Sequence, residues 1–211
     1  MNRSSLVIAV AVTLSAVAAP VFAGPPLLCH PFDIGSARSL PWGAGAGWSE
    51  TSPGYDVSHL AADTIALLAP ATPVVVRMET LRRATIYASR DQAVAAQLLS
   101  RLTERTHSPD AYAWLDAAYL GEALRQMSLM GRLAEFHDTA PQLAEIVRDV
   151  DGVAMIEKAL LLRPGDPGLE FAAAMINADK NRAVSVAHAK RARAGAATDD
   201  LVARNIAMVL N

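Results

Sequence analysis

Cys29, His30 and Asp33 form the sharpest cluster of reactive side chains in a 211-residue chain that has one cysteine and five histidines. A thiolate, an imidazole and a carboxylate are ligand types that zinc or copper accepts. Sequence neighbours rarely both reach one ion, so a further ligand such as His59 would have to come from elsewhere. No Cys-x-x-Cys, Cys-x-x-Cys-His or His-Glu-x-x-His spacing is present. Covalent catalysis by Cys29 is a second chemistry. It requires a histidine in space to generate the thiolate, and the side chain of His30 points away from its neighbour in extended chain. A lone cysteine can also bond to a cysteine of another chain. The least demanding reading makes Cys29 a small buried apolar group, with His30 and Asp33 bonding nearby backbone. That reading needs no metal or other cofactor.

Trp42 and Trp48 flank a stretch that alternates glycine and alanine from Gly43 to Gly47. Two flat rings on a pliable loop can grip a sugar, a peptide or a partner surface. Equally, they can pin the loop to the rest of the molecule, since burying an aromatic ring contributes about 2 kcal/mol. Cys29, His30, Asp33, Trp42 and Trp48 are therefore the candidate binding residues. His107, His137 and His188 are scattered and suggest no acid–base pair.

All five candidates lie in residues 24–55, where Pro25, Pro26, Pro31, Pro41 and Pro53 and several glycines leave no steady period. Proline removes a backbone donor and glycine favours irregular turns, so this segment is expected to be an extended arm. Residues 1–23 read as a cleavable secretory signal: Arg3, an apolar run from Leu6 to Ala19, and Val21-Phe22-Ala23 before Gly24. Pro20 ends that run too early for a membrane anchor, and no later stretch is long and apolar enough to span a bilayer. Cys29 follows Pro26-Leu27-Leu28 rather than a small residue, which disfavours a lipid anchor. The expected location is the periplasm or the extracellular space. A single cysteine means the fold must stand without an internal disulfide.

Residues 56–211 read as an all-α domain. Asp56 or Ser58 opens the first helix, with Leu60, Thr64, Leu67 and Leu68 on one side. Thr72-Pro73 opens the second, with threonine as cap and proline in the first turn. Val74, Met78, Leu81 and Ala88 make its inner face, Arg77, Arg82 and Arg83 are expected to stay wet, and Glu79 can pair with Arg83. The third helix starts at Asp91, its stripe Val94, Leu98, Leu99 and Leu102. The fourth follows Asp110 and carries Tyr112, Leu115, Tyr119, Leu120, Leu124 and Met127. Gly121 inside it costs about 1 kcal/mol against alanine, which a close helix crossing would justify. Leu129 to Ala140 reads as a helix end plus a turn, and residues 142–150 as a further helix. Asp151-Gly152 interrupts before residues 155–162, and Pro164-Gly165-Asp166-Pro167 is a clear break. The last helices run near residues 169–178, 181–194 and 199–210. About eight short helices with tight turns imply antiparallel hairpins, as a stack or a compact bundle.

A net charge of −2 gives no reason to expect nucleic acid as a partner. Lys180, Arg182, Lys190, Arg191 and Arg193 make the late helix basic, but three of them lie near its C-terminus, where cations offset the dipole.

"KALLLRPGDPGLEFAAAMI", residues 158–176, resembles the junction between two tetratricopeptide repeats. Ala159, Leu160, Leu162 and Pro164 match the helix end, Asp166-Pro167 the turn, and Leu169, Ala172 and Ala173 the next helix. "DAYAWLDAAYLGEALRQ", from Asp110, is similar to a first repeat helix. The span from Asp166 to Asp199 has about the repeat length of 34 residues. The arm also resembles a sequence in uncharacterised secreted bacterial proteins, a likeness that brings no activity with it. The repeat resemblance implies a scaffold that holds peptides or other proteins. The expectation is an exported, non-catalytic helical-repeat protein binding a peptide or protein partner. The alternative is a small metal- or thiol-dependent enzyme centred on Cys29, His30 and Asp33.

Overall fold

The computed structural model describes residues 24–45 and 47–210, with side chains as far as residue 207. The expected signal segment, residues 1–23, lies outside the described residues. Among the described residues nine α-helices follow one another, joined by turns: α1 (Leu60–Leu67), α2 (Val74–Ala88), α3 (Gln92–Arg105), α4 (Ala111–Ser128), α5 (Ala140–Ile146), α6 (Gly152–Leu162), α7 (Pro167–Ile176), α8 (Arg182–Gly195) and α9 (Asp200–Leu210). No strand occurs among the described residues; Trp42 and Thr51 make one isolated antiparallel bridge. The molecule is all-α, built of antiparallel helical hairpins with an extended N-terminal arm.

Short side chains with one acceptor set the helix starts. Asp91 accepts from the amides of Ala93 and Val94, Asp110 from Tyr112, Asp151 from Ala154, Asp166 from Gly168 and Leu169, Asn181 from Val184, and Asp199 from Leu201 and Val202. Each satisfies amides that the first helical turn leaves without partners. Asp151 thus opens α6 rather than merely interrupting a helix, so α6 begins at Gly152. Thr72 departs from expectation. Pro73 occupies the cap position of α2, and the Thr72 hydroxyl instead donates to the Leu67 carbonyl at 2.8 Å, closing the end of α1.

Helix α4 is the central post, packed against α2, α3, α5, α6 and α7. Leu115, Tyr119, Leu120, Leu124 and Met127 are all buried. Gly121 faces Val150, whose Cγ1 would lie 2.5 Å from a Cβ added there. The close approach inferred from this glycine is therefore present, made by the chain before α6.

The arm lies across this body. Leu27, Leu28, Phe32 and Leu40 enter the common core, and Phe32 meets Phe171 of α7 edge-on at 5.9 Å between ring centres. One expectation is overturned: Arg77, held by Asp116 of α4 and the turn after α1, and Arg82, covered by the arm, do not stay wet. Both are fully buried, and Arg83 is largely so. The reason is that α2 is enclosed on two sides, by α4 and by the arm, and both sides offer acceptors that a guanidinium can fill. The pair of Glu79 with Arg83 does form, at 2.7 Å.

Candidate functional site

Irregular chain satisfies only some of its own carbonyls and amides, so buried irregular chain must borrow partners for the rest. Helix α2 supplies most of them. Arg82 donates through Nη1 to the carbonyls of Leu28 and Trp48, each at 3.0 Å, while Nε and Nη2 grip both oxygens of Glu79. Glu79 Oε2 also accepts from the Phe32 amide at 3.1 Å. Arg83 donates to the Leu40 carbonyl at 2.7 Å, and the Tyr87 hydroxyl donates to Pro41 and accepts from the Ser52 amide. From α4, the Tyr119 hydroxyl donates to the Leu27 carbonyl and Gln126 accepts from the Leu27 amide. From α9, Asn205 takes both the amide and the carbonyl of Asp33 at 2.8 Å.

The five residues selected from sequence fall within this clamp. Trp42 is half-buried, edge-on to Tyr87 at 6.0 Å, with the Arg82 guanidinium 4.9 Å from its ring centre. Trp48 is half-buried against Phe136 at 6.1 Å. Cys29 is half-buried beside the core, and burial pushes its thiol pKa up, against a smaller lowering by Arg82. A raised pKa leaves less thiolate at neutral pH. His30 is half-buried. Asp33 is exposed, and its carboxylate accepts from the Gly35 amide at 2.9 Å in a local turn. Arg82 thus draws Cys29, Trp42 and Trp48 around one cation, while Asp33 is tied to α9. Among the described residues, no group of three His, Cys, Asp or Glu side chains is placed to hold a metal ion.

The glycines between the tryptophans have a local reason. Glu50 folds back under the loop, and its Oε1 accepts from the Gly47 amide at 3.2 Å. A Cβ on Gly43 would fall 2.9 Å from the backbone carbonyl oxygen of Glu50, an atom that cannot swing aside, so that position favours glycine.

Beside the clamp, the arm and α1 form a groove. One cleft of about 420 Å³ is lined by Arg38, Leu40, Pro41, Tyr55, Asp63 and Leu67. A second, of about 370 Å³, is lined by Ala37, Arg38, Ala66, Leu67, Pro73 and Val76. The two share Arg38 from the arm and Ala66 and Leu67 from α1. The arm wall is fixed on both sides of Arg38. The Ala37 amide donates to Ile34, the Ser39 hydroxyl lies 3.1 Å from that of Thr80, and the Leu40 carbonyl is held by Arg83. Arg38 itself is exposed and makes no ion pair or hydrogen bond with the described residues. At the other end, the Tyr55 hydroxyl donates to Asp63 at 2.8 Å; burial first, then this bond, pushes the phenol pKa up, so Tyr55 stays a donor. A wider hollow of about 710 Å³ over α3 is bounded by that helix face, His107 and Ile146, and the arm takes no part in it. None of the five residues chosen from sequence lines either cleft of the groove.

Two polar clusters, one buried and one partly exposed, escaped the sequence reading. Asp116 of α4 accepts from Arg77 at 2.8 Å and Arg105 at 3.2 Å, and its Oδ1 is buried with no hydrogen-bond donor. Burial outweighs both arginines and raises its pKa to about 6. Arg77 also donates to the carbonyls of Leu68 and Ala69, closing α1. On the far side, His188 of α8 sits between Glu170 of α7 at 2.7 Å and Glu157 of α6 at 3.2 Å, with Arg191 against Glu170 at 2.9 Å. These residues come from three helices, so only the docked hairpins bring them together.

No protein-family model matches the chain, and no curated protein or solved structure matches it either. Among the described residues no helix is long and apolar enough to cross a membrane.

Proposed function

We propose that this chain is an exported, non-catalytic helical protein that binds a peptide or protein partner, and that the partner lies in the groove between residues 37–41 and α1. One observation carries the reading: two adjoining clefts share a fixed arm wall, a floor of Ala66 and Leu67, and the guanidinium of Arg38, which has no ion pair or hydrogen bond among the described residues. Clefts of this size, mostly apolar with a few polar groups, are the usual form of a ligand site. A wall already held in place costs little further ordering when a ligand arrives. The likeness of residues 158–176 to a tetratricopeptide junction supports a scaffold role, and the first 23 residues support export to the periplasm or beyond.

The test is selection of ligands from a displayed peptide library on the purified protein, followed by rebinding to Ala66→Trp. Ala66 is exposed and lies on the floor common to both clefts, so a tryptophan there fills the groove without disturbing the core. Selected peptides are expected to lose binding to the variant. Peptides that bind both proteins equally would place the partner surface elsewhere. N-terminal sequencing of protein from the exported fraction is expected to begin at Gly24.

A further inference from the structure

Resting on the groove assigned above, we infer that it recognises an extended segment in which an acidic side chain stands between two apolar ones. In extended chain, side chains two apart point to one face and the residue between them points to the other, at about 3.3 Å per residue. Two apolar side chains at i and i+2 can therefore point into the groove, one towards each cleft, while the side chain at i+1 points out to solvent, where the exposed Arg38 can reach it. The rim residue common to both clefts is Arg38, which is exposed and makes no ion pair or hydrogen bond with the described residues. A guanidinium meets a carboxylate with two parallel hydrogen bonds, which gives direction as well as attraction.

The rest of the groove fixes where the acid goes. Pro41 and Leu67 line one cleft beside Ser39, Tyr55 and Asp63, and Leu67, Ala71 and Pro73 line the other; among the described residues Arg38 is the one cation in either lining. Asp63 stands in the cleft nearer Tyr55, with one oxygen already taken by the phenol. A ligand carboxylate at that end meets a like charge, whereas one in the middle meets Arg38. The clefts thus set both composition and register: apolar, acidic, apolar.

Fluorescent peptides blocked at both ends, centred on Leu-Glu-Leu, Leu-Gln-Leu and Leu-Lys-Leu, test this on the full protein by polarisation. The glutamate peptide is expected to bind about tenfold more tightly than the glutamine one, the value of one charge-assisted contact at a partly exposed site. The lysine peptide is expected to be weaker still. Arg38→Gln should equalise the glutamate and glutamine peptides while keeping their shared apolar affinity, and Ala66→Trp should abolish both. Both positions are exposed, and an unchanged thermal midpoint confirms that each variant folds. A preference for lysine, or a glutamate preference that survives Arg38→Gln, overturns the inference. Laurate, a carboxylate on an apolar tail, is run in parallel; tight Arg38-dependent laurate binding with no peptide binding assigns the groove to amphiphiles and overturns it too. Should the three peptides all fail while library-selected sequences still depend on Ala66, the acidic class is wrong and the partner-binding reading stands.

Discussion

The arm and the α7–α8 hairpin are both buried against the same core, but different forces hold them. The hairpin is joined by small side chains: Ala172, Ala173 and Ala174 on α7 and Ala189 and Ala192 on α8 are buried, with Ser185 donating to the Ala174 carbonyl at 2.8 Å. Its helices satisfy their own backbones, so close packing of apolar surface does most of the joining, with the His188–Glu170 contact at 2.7 Å across it. The arm brings apolar residues too, but also carbonyls and amides with no internal partners. Guanidinium, hydroxyl, carboxylate and amide groups from α2, α4 and α9 fill that deficit, over separations of 34 to 172 residues. Buried arginine on α2 is thus a requirement of the irregular chain above it. The two regions should respond to different substitutions.

Arg82→Met should have the largest effect. It removes donors to Leu28 and Trp48 and leaves Glu79 with one cation fewer, and loss of one member of a buried ion pair costs about 3–5 kcal/mol. Urea unfolding measures the loss, and limited proteolysis should show the arm cut first. An arm still protected would break the comparison.

Asp116 gives a pH signature in the clamp half. Its native pKa is raised to about 6 from an ordinary 3.8. Between those values the folded protein binds more protons than the unfolded one, so this group favours folding more as pH falls through about 6, and that advantage is lost as pH rises. Relative to Asp116→Asn, the protein should therefore gain stability from pH 7 to pH 4, by up to about 3 kcal/mol. Parallel denaturation series at the two pH values check the sign; a relative loss would refute it.

For the hairpin, volume should matter more than hydrogen bonds. Ala192→Leu overfills a site with no exposed surface and should cost about 1–3 kcal/mol, with arm proteolysis unchanged. Trp42→Ala should be milder, about 1–2 kcal/mol, because the ring is only half-buried and Arg82 keeps its other bonds. It should still speed cleavage upstream of Tyr55.

Much of the fold is legible in the sequence because its signals are local. Asp91, Asp110 and Asn181 announce helices by chemistry confined to one turn, and the stripe from Leu98 to Leu102 repeats at helical spacing. The missed features are long-range. Charge on Arg77 and Arg82 reads as solvent exposure until α4 is known to pack on the first and the arm on the second. His188 reads as isolated because its two carboxylates stand 18 and 31 residues away. The groove has no sequence signature, since Arg38 faces Ala66 and Leu67 only after the arm is laid down. The tryptophans were conspicuous for a related reason: irregular chain concentrates its varied side chains where uniform helix has no need of them.

Asn205 grips Asp33 from the opposite end of the chain. The polypeptide is made from its N-terminus, so the arm emerges first and its final fastening last. Until residue 205 is available, the segment that completes the groove lacks one of its ties. Fixing of the arm is thereby linked to synthesis of α9, and a product truncated before residue 205 should hold the arm around Asp33 less firmly however well its earlier helices form.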